Sequence, residues 1–149
     1  MPRTALVVAV PEAAAYYSLL PGVPAHITIL FPFADGDDVD EAAVAELVAA
    51  FPAFDFTLDR IEQFDDGTRW LRPVPTARFA DLTAAVAQRF PDCPPYEGAF
   101  DEPIPHLTIT VQDVPLPIAS RATEVLLLEE READGSWSTR RAFPLQGVA

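Results

Sequence analysis

Several segments of this chain are predicted to be β-strands, because their hydrophobic residues alternate with polar ones or run together between turn residues. Thr4 to Val10 is a β-branched apolar run and predicts a buried strand. Phe54 to Asp59 alternates and predicts a half-buried strand. The same criteria predict a turn at Asp65 to Gly67 before a strand from Arg69 to Val74, and a C-terminal hairpin with strands Glu124 to Arg131 and Trp137 to Leu145 around a turn at Ala133 to Ser136.

Two segments have the apolar spacing of amphipathic helices. The first runs from about Val39 to Ala50, after a capping pattern formed by Asp38 and Glu41. The second begins after Thr76, which is predicted to cap it, and ends at Pro91. Both helices are expected to bury one apolar stripe against a sheet.

The remaining segments are short or rich in proline. A short helix is expected from Glu12 to Leu20, and a loop from Asp92 to Pro105. Asp113 to Ser120 predicts irregular chain, with a short helical turn around Ile118 to Thr123. Because strands and helices do not alternate regularly, the fold class is predicted to be β-rich α+β and not a parallel βαβ arrangement.

Composition and charge narrow the class of protein. The 149 residues suit one domain of ordinary size, and the single Cys93 rules out an internal disulfide framework. The chain has no lysine and a formal net charge of −13, which disfavours binding to long nucleic acid through a basic face. No apolar run reaches the roughly 20 residues of a membrane helix, and no signal peptide is evident, so we expect a cytoplasmic protein without a membrane partner.

Two similar six-residue stretches contain both histidines of the chain. The first motif is Ala25 to Leu30 (AHITIL), and the second motif is Pro105 to Thr110 (PHLTIT). On a strand, the histidine and the threonine two residues later share one face, and the apolar pair shares the other. Each motif is therefore predicted to bury its apolar face and to present His26 and Thr28, or His106 and Thr108, on the opposite face.

This set of side chains suits phosphodiester chemistry. Histidine titrates near neutral pH, so one of two facing imidazoles can accept a proton while the other donates one to a leaving oxygen. A threonine hydroxyl can donate to a non-bridging phosphate oxygen. Two histidines without a carboxylate at ligand spacing make a poor zinc site, and we expect neither a metal nor a cofactor.

The doubled motif resembles the 2H phosphoesterase superfamily, which includes the 2′-5′ RNA ligase-like proteins and cyclic phosphodiesterases. The resemblance covers most of the chain and includes HITILFPF, the pair FDFTLDRIEQF and TRWLRPVP, PIPHLTIT, and the C-terminal hairpin. It implies that residues 1–149 form a single domain of two interleaved lobes related by a pseudo-twofold axis, with antiparallel sheets lining a central cleft and helices outside. It also implies that His26 and His106 are the acid/base pair and that Thr28 and Thr108 bind the substrate phosphate. Relatives often have an arginine three residues after the second threonine, where this chain has Val111.

The substrate implied by the resemblance is a 2′,3′-cyclic phosphate or a 2′-5′ phosphodiester of a nucleotide or short oligonucleotide. Four further residues are candidates for binding it: Trp70 could stack on a base, Arg69 or Arg72 could reach a phosphate, and Tyr96 could line the rim of the cleft. A core tryptophan, solvated arginines and a packed loop tyrosine are the alternatives for these four. For the whole protein, the alternatives are a module that binds a nucleotide or phosphometabolite without turnover, and a globular protein with two structural histidines.

Overall fold

Two four-stranded antiparallel sheets form the frame of the protein. The computed structural model describes residues 2–98, 104–131 and 134–147. The first sheet has the strand order β2-β1-β7-β8 and the second the order β5-β4-β3-β6. The strands are β1 (Thr4–Ala9), β2 (His26–Leu30), β3 (Phe54–Gln63), β4 (Arg69–Val74), β5 (Leu107–Thr108), β6 (Ile118–Ala122), β7 (Glu124–Glu130) and β8 (Trp137–Pro144).

Each motif lies at the edge of a different sheet. The first motif supplies β2, which pairs with β1, and the second supplies β5, which pairs with β4. The apolar residues of both motifs are buried in one core cluster. Ile27 and Leu107 are fully buried, each with 0% of its surface exposed. The predicted separation of an apolar face from a His/Thr face is therefore confirmed, as is the α+β fold of two antiparallel sheets.

Two helices pack against the outside of this frame. Helix α1 (Glu41–Ala49) packs against β8, and helix α2 (Ala77–Arg89) packs against β2. In α2, Phe79, Leu82 and Val86 are fully buried, which confirms its predicted apolar stripe. None of the helices in the described part of the chain is long and apolar enough to span a membrane.

Several local predictions were wrong. Asp40, and not Asp38, caps α1, since its carboxylate accepts from the amide of Ala43. Thr76 precedes α2 in an already helical conformation, and its side chain makes no capping hydrogen bond. The expected helix at residues 12–20 is a 3-10 helix over Pro11–Tyr16.

The segment predicted to form a helical turn at residues 118–123 is instead strand β6. It pairs with β3 from Ile118 to Ala122, so the free edge of β3 provides hydrogen bonds that outweigh a weak local preference. The second motif is less regular than expected, because β5 contains only Leu107 and Thr108. Ala133 of the predicted hairpin turn and residues 99–103 of the predicted loop lie outside the described residues.

Gly22 places the segment before the first motif directly against β8. Its φ is +83°, and a Cβ added there would lie 1.7 Å from the carbonyl oxygen of Trp137. The amide of Trp137 in turn donates to the carbonyl of Pro21 at 2.9 Å. Only glycine permits this approach, because it lacks a Cβ and tolerates a positive φ.

We expect Gly22→Ala to destabilise the protein more than Gly67→Ala does. Gly67 also has a positive φ, of +93°, but a Cβ there would meet only the flexible Gln63 side chain at 3.9 Å. The strained backbone alone should cost about 1 kcal/mol in the control, while the clash at Gly22 should add about 2 kcal/mol. Urea unfolding measures both variants. Equal losses would show that the contact with Trp137 does not matter.

Candidate active site

His26 opens strand β2 and is half-buried beside Tyr17. Its Nδ1 lies 2.8 Å from the carbonyl oxygen of Pro24, two residues earlier. The ring of Tyr17 meets the imidazole nearly edge-on, with the centroids 5.4 Å apart. One side of the imidazole is therefore fixed by backbone and the other is covered by an aromatic ring.

His106 lies just before β5 and repeats this arrangement. Its Nδ1 lies 2.7 Å from the carbonyl oxygen of Ile104, again two residues earlier. Phe64 meets the imidazole perpendicularly at a centroid distance of 5.1 Å, and Trp70 lies behind at 5.9 Å. Phe64 and Trp70 are themselves stacked at 4.8 Å, so they form an aromatic wall against His106.

The carbonyl partners fix the tautomer of both histidines. A carbonyl oxygen can only accept a hydrogen bond, so the Nδ1 of both His26 and His106 must carry a proton. In the neutral ring the free lone pair is then on Nε2. Each histidine can accept a proton on Nε2, or donate one from it when charged, without changing its contact with the backbone.

The surroundings of the two rings lower the pKa of both histidines. Burial lowers the pKa of His26 below 6.5; the carbonyl of Pro24 partly opposes this, and positive charge on His106 lowers it further. Burial likewise lowers the pKa of His106, against the opposing effect of the carbonyl of Ile104. Both imidazoles are therefore mainly neutral at pH 7 when no anion is bound.

A cavity of about 240 Å³ joins the two motifs, and we call it the motif cavity. The four motif residues His26, Thr28, His106 and Thr108 all line it, as does Tyr96. Within the described residues, the hydroxyls of Thr28 and Thr108 make no hydrogen bond to the protein and are available to a ligand. The other lining residues are apolar or aromatic: Ala5, Val7, Tyr17, Leu19, Leu20, Val23, Phe31, Leu128 and Trp137.

Three of the residues considered for substrate binding do not line the motif cavity. Trp70 is only 7% exposed and acts as the wall behind His106. Arg72 pairs with Asp59 through two hydrogen bonds of 3.1 and 2.6 Å. Arg69 donates to the carbonyl of Val111 at 3.1 Å. Of the four additional candidates, the structure brings only Tyr96 to the cavity.

Sequence analysis gave no role to Thr110, which joins the second motif to the segment between β1 and β2. Its amide donates to the carbonyl of Tyr16 at 2.8 Å, and its hydroxyl accepts from the amide of Ser18 at 3.0 Å. Tyr17, between these two residues, contacts His26. The only signal in the sequence is that the second motif continues with another threonine on the same strand face.

The described residues contain no group of three or more His, Cys, Asp or Glu side chains that could hold a metal ion. The polar side-chain groups of the described cavity lining are imidazoles, hydroxyls and the indole N–H of Trp137. They can transfer protons and donate hydrogen bonds to an anion.

Comparison with known proteins assigns this chain to a family. The model of the 2′-5′ RNA ligase superfamily matches residues 3–143. The chain belongs to this superfamily. The relationship inferred from the doubled motif, to the 2H phosphoesterases that include these proteins, is confirmed.

Solved structures of the superfamily share the whole fold at low sequence identity. A phosphoesterase crystal structure is 19% identical with a TM-score of 0.65, covering 98% of this chain and 99% of its own. Escherichia coli LigT without ligand is 18% identical with a TM-score of 0.65, covering 97% and 98%. TT0787 of Thermus thermophilus is 16% identical with a TM-score of 0.63, covering 99% and 100%. A comparison with curated protein sequences gives no match.

We expect Phe64→Ala to raise the pKa of His106 toward its ordinary value, because removing the ring admits water to the imidazole. Proton NMR titration can measure this directly, since the chain has only two histidines. His26→Gln and His106→Gln assign the two signals. The pKa of His26 serves as an internal control and should not rise with it. An unchanged pKa for His106 would show that Phe64 does not cause its burial.

Proposed function

We propose that this protein is a phosphodiesterase that opens a 2′,3′-cyclic phosphate, or cleaves a 2′-5′ phosphodiester, of a nucleotide or short oligonucleotide. The observation that carries the proposal is the matched pair of imidazoles, each held through Nδ1 by a backbone carbonyl, lining one cavity with two available threonine hydroxyls. We also propose that the two sheets are the interleaved lobes of one domain, with the reaction between them.

The reaction uses the two histidines in opposite protonation states. One neutral imidazole accepts a proton on Nε2 from water as the water oxygen bonds to phosphorus. The other, protonated, donates its Nε2 proton to the ribose oxygen as the bond from phosphorus to that oxygen breaks. The products are a phosphomonoester and a free ribose hydroxyl, and the two histidines have exchanged protonation states.

The backbone carbonyls make this exchange possible at both rings. Each carbonyl accepts from Nδ1 and favours the charged imidazole, while burial favours the neutral one. Because the contacts at Pro24 and Ile104 are alike, either histidine can serve as base or acid. The hydroxyls of Thr28 and Thr108 donate to the non-bridging oxygens, on which negative charge increases in the transition state.

Ligands of a structural neighbour support the substrate class. Escherichia coli LigT has been crystallised with 3′-AMP and with phosphate, and it is 20% and 18% identical to this chain in those structures. A nucleoside 3′-phosphate is one product expected from opening a 2′,3′-cyclic phosphate. A cavity of about 240 Å³ also suits a nucleotide or the end of a short oligonucleotide and not a duplex.

We expect His26→Ala and His106→Ala each to reduce kcat on adenosine 2′,3′-cyclic phosphate by about 10² to 10⁴-fold, since each removes one proton-transfer group. Chromatographic separation of substrate and product measures the rate, and circular dichroism checks that both variants fold. Arg121→Gln is the matched control, because Arg121 pairs with Asp55 at the surface and should leave kcat unchanged. Near wild-type activity in either histidine variant would contradict the paired mechanism. Tight binding of the nucleotide by calorimetry without any product would instead support a binding module.

We expect the pH optimum of kcat/KM to lie below pH 6.5, because both histidines of the free enzyme have pKa values lowered below 6.5. The active form has one charged and one neutral imidazole, and it is lost at higher pH as the acid deprotonates and at lower pH as the base protonates. The profile of kcat should lie at higher pH, since a bound phosphate raises both pKa values. Initial rates across pH measure both profiles. A kcat/KM optimum above pH 6.5 would contradict this assignment.

A further inference from the structure

The described residues that line the motif cavity carry no fixed charge. Of its fourteen lining residues, the only titratable groups near neutral pH are His26 and His106, and no arginine, aspartate or glutamate is among them. A cavity for anions would ordinarily contain arginine or lysine, whose charge pairs with each phosphate. Among the described lining residues, the side-chain groups that can contact the anion besides the imidazoles are hydroxyls and the indole N–H of Trp137, and none of them carries a charge.

The surroundings of all the arginine side chains can be accounted for. There is no lysine, and all ten arginines are among the described residues. Six pair with carboxylates of described residues: Arg3, Arg60, Arg72, Arg121, Arg140 and Arg141. Arg78 and Arg89 lie over phenylalanine rings, and Arg131 is exposed near the turn at Asp134.

Two arginines are connected to the cavity through another residue, but both are engaged. Arg3 lies 5.6 Å from the ring centre of Phe31, a lining residue, and binds Glu130 through hydrogen bonds of 2.9 and 2.6 Å. Arg69 donates to the carbonyl of Val111, behind the second motif. Neither side chain lines the cavity, so among the described side chains only the histidines can supply positive charge to a ligand there.

The proposed reaction supplies one positive charge at every stage. Before proton transfer one histidine is an imidazolium, and afterwards the other is. A phosphodiester carries a single negative charge and is balanced by this one cation. Each further phosphate would bring charge into an uncharged cavity of a protein whose net charge is −13.

We propose that the motif cavity selects phosphodiesters that carry one negative charge and an otherwise uncharged organic part, such as a cyclic mononucleotide without a further phosphate. This inference rests on the proposed function and specifies its substrate class. It predicts weak binding of nucleoside polyphosphates and of substrates with an additional terminal phosphate.

The apolar part of the cavity lining fits such a substrate. Phe31 and Trp137 meet edge-to-face at a centroid distance of 6.1 Å and belong with Val23 to an apolar cluster on the first sheet. Leu19 and Leu20 are 61% and 45% exposed at the cavity. The uncharged part of the substrate can therefore cover apolar surface that water now contacts, which contributes affinity without ion pairs.

The same charge balance favours release of product. Hydrolysis converts a diester of one negative charge into a monoester with about −1.5 to −2 at pH 7. The cavity still holds only one imidazolium, so part of the new charge is unbalanced. Product should bind more weakly than substrate under these conditions.

The test compares two ligands that differ only in charge: adenosine 2′,3′-cyclic phosphate and the same molecule with a 5′-phosphate. The wild-type protein should favour the first by about tenfold or more, since the additional charge has no partner in the cavity. If the protein turns over either ligand, the ratio is taken from kcat/KM; if it turns over neither, the ratio is taken from Kd by calorimetry. An equal or reversed preference overturns the inference, as does failure to bind both ligands. Absence of turnover with a clear preference in binding overturns only the proposed function.

A charged variant provides the converse test. Leu19→Arg adds a cation at the exposed rim and should reduce the preference by about threefold or more, mainly by improving the 5′-phosphorylated ligand. Ala49→Arg is the matched control, because it adds the same charge at the exposed last turn of α1, away from the cavity. It should leave the preference within about twofold of wild type, since the added charge is distant and screened. An equal effect of both variants would show that net charge, and not the cavity, sets the preference, and would overturn the inference.

Salt gives an independent readout. For the wild-type protein, KM or Kd for adenosine 2′,3′-cyclic phosphate should not rise between about 50 mM and about 300 mM sodium chloride, because salt screens repulsion from the acidic protein and no fixed ion pair is lost. A several-fold rise would show that fixed cations hold the ligand and would overturn the inference.

Discussion

The candidate site depends on the contact between the second motif and the segment that leads from β1 to the first motif. The amide of Thr110 donates a hydrogen bond to the carbonyl of Tyr16, and its hydroxyl accepts one from the amide of Ser18. Tyr17, between these two residues, packs against His26. One short segment thus fixes the second motif and covers the imidazole of the first. The buried apolar faces of both motifs join the same core cluster, so a shift of one edge strand would cost burial as well as these two hydrogen bonds. This constraint gives two strands that are distant in sequence a fixed relative position.

Within that frame, two opposing effects act on the pKa of each imidazole. The protein removes water from the ring, which disfavours the charged form, and gives Nδ1 a backbone acceptor, which favours it. A ring with burial alone would stay neutral and could act only as a base, and a fully solvated ring would lack a fixed orientation. The combination produces a group that can take either protonation state in one geometry. Because it occurs at both motifs, either histidine can serve as acid or base in the proposed reaction.

Sequence analysis was most successful where the information is local. Alternation in the two motifs correctly assigned Ile27 and Leu107 to the core, and the doubled His/Thr pattern led to the family. It failed where partners come from elsewhere in the chain: β6 became a strand only because β3 offered it an edge. Arg69 and Arg72 were considered for phosphate binding from their position beside Trp70 on one strand, whereas in the structure Arg69 donates to the carbonyl of Val111 and Arg72 pairs with Asp59 on the neighbouring strand. The carbonyl acceptors of both histidines depend on backbone direction, which side-chain patterns do not specify.

Net charge also proved a poor guide to the site. A value of −13 argues against a broad basic face, but it does not describe a small cavity whose described lining residues include neither an acid nor an arginine. Surface carboxylates act on a ligand through water and salt, over about 8 Å at physiological ionic strength. A buried imidazolium acts on a bound phosphate at contact distance and with less screening. The acidic surface and the proposed binding of an anion in the cavity are therefore compatible, provided that the anion brings no more charge than one imidazolium can balance.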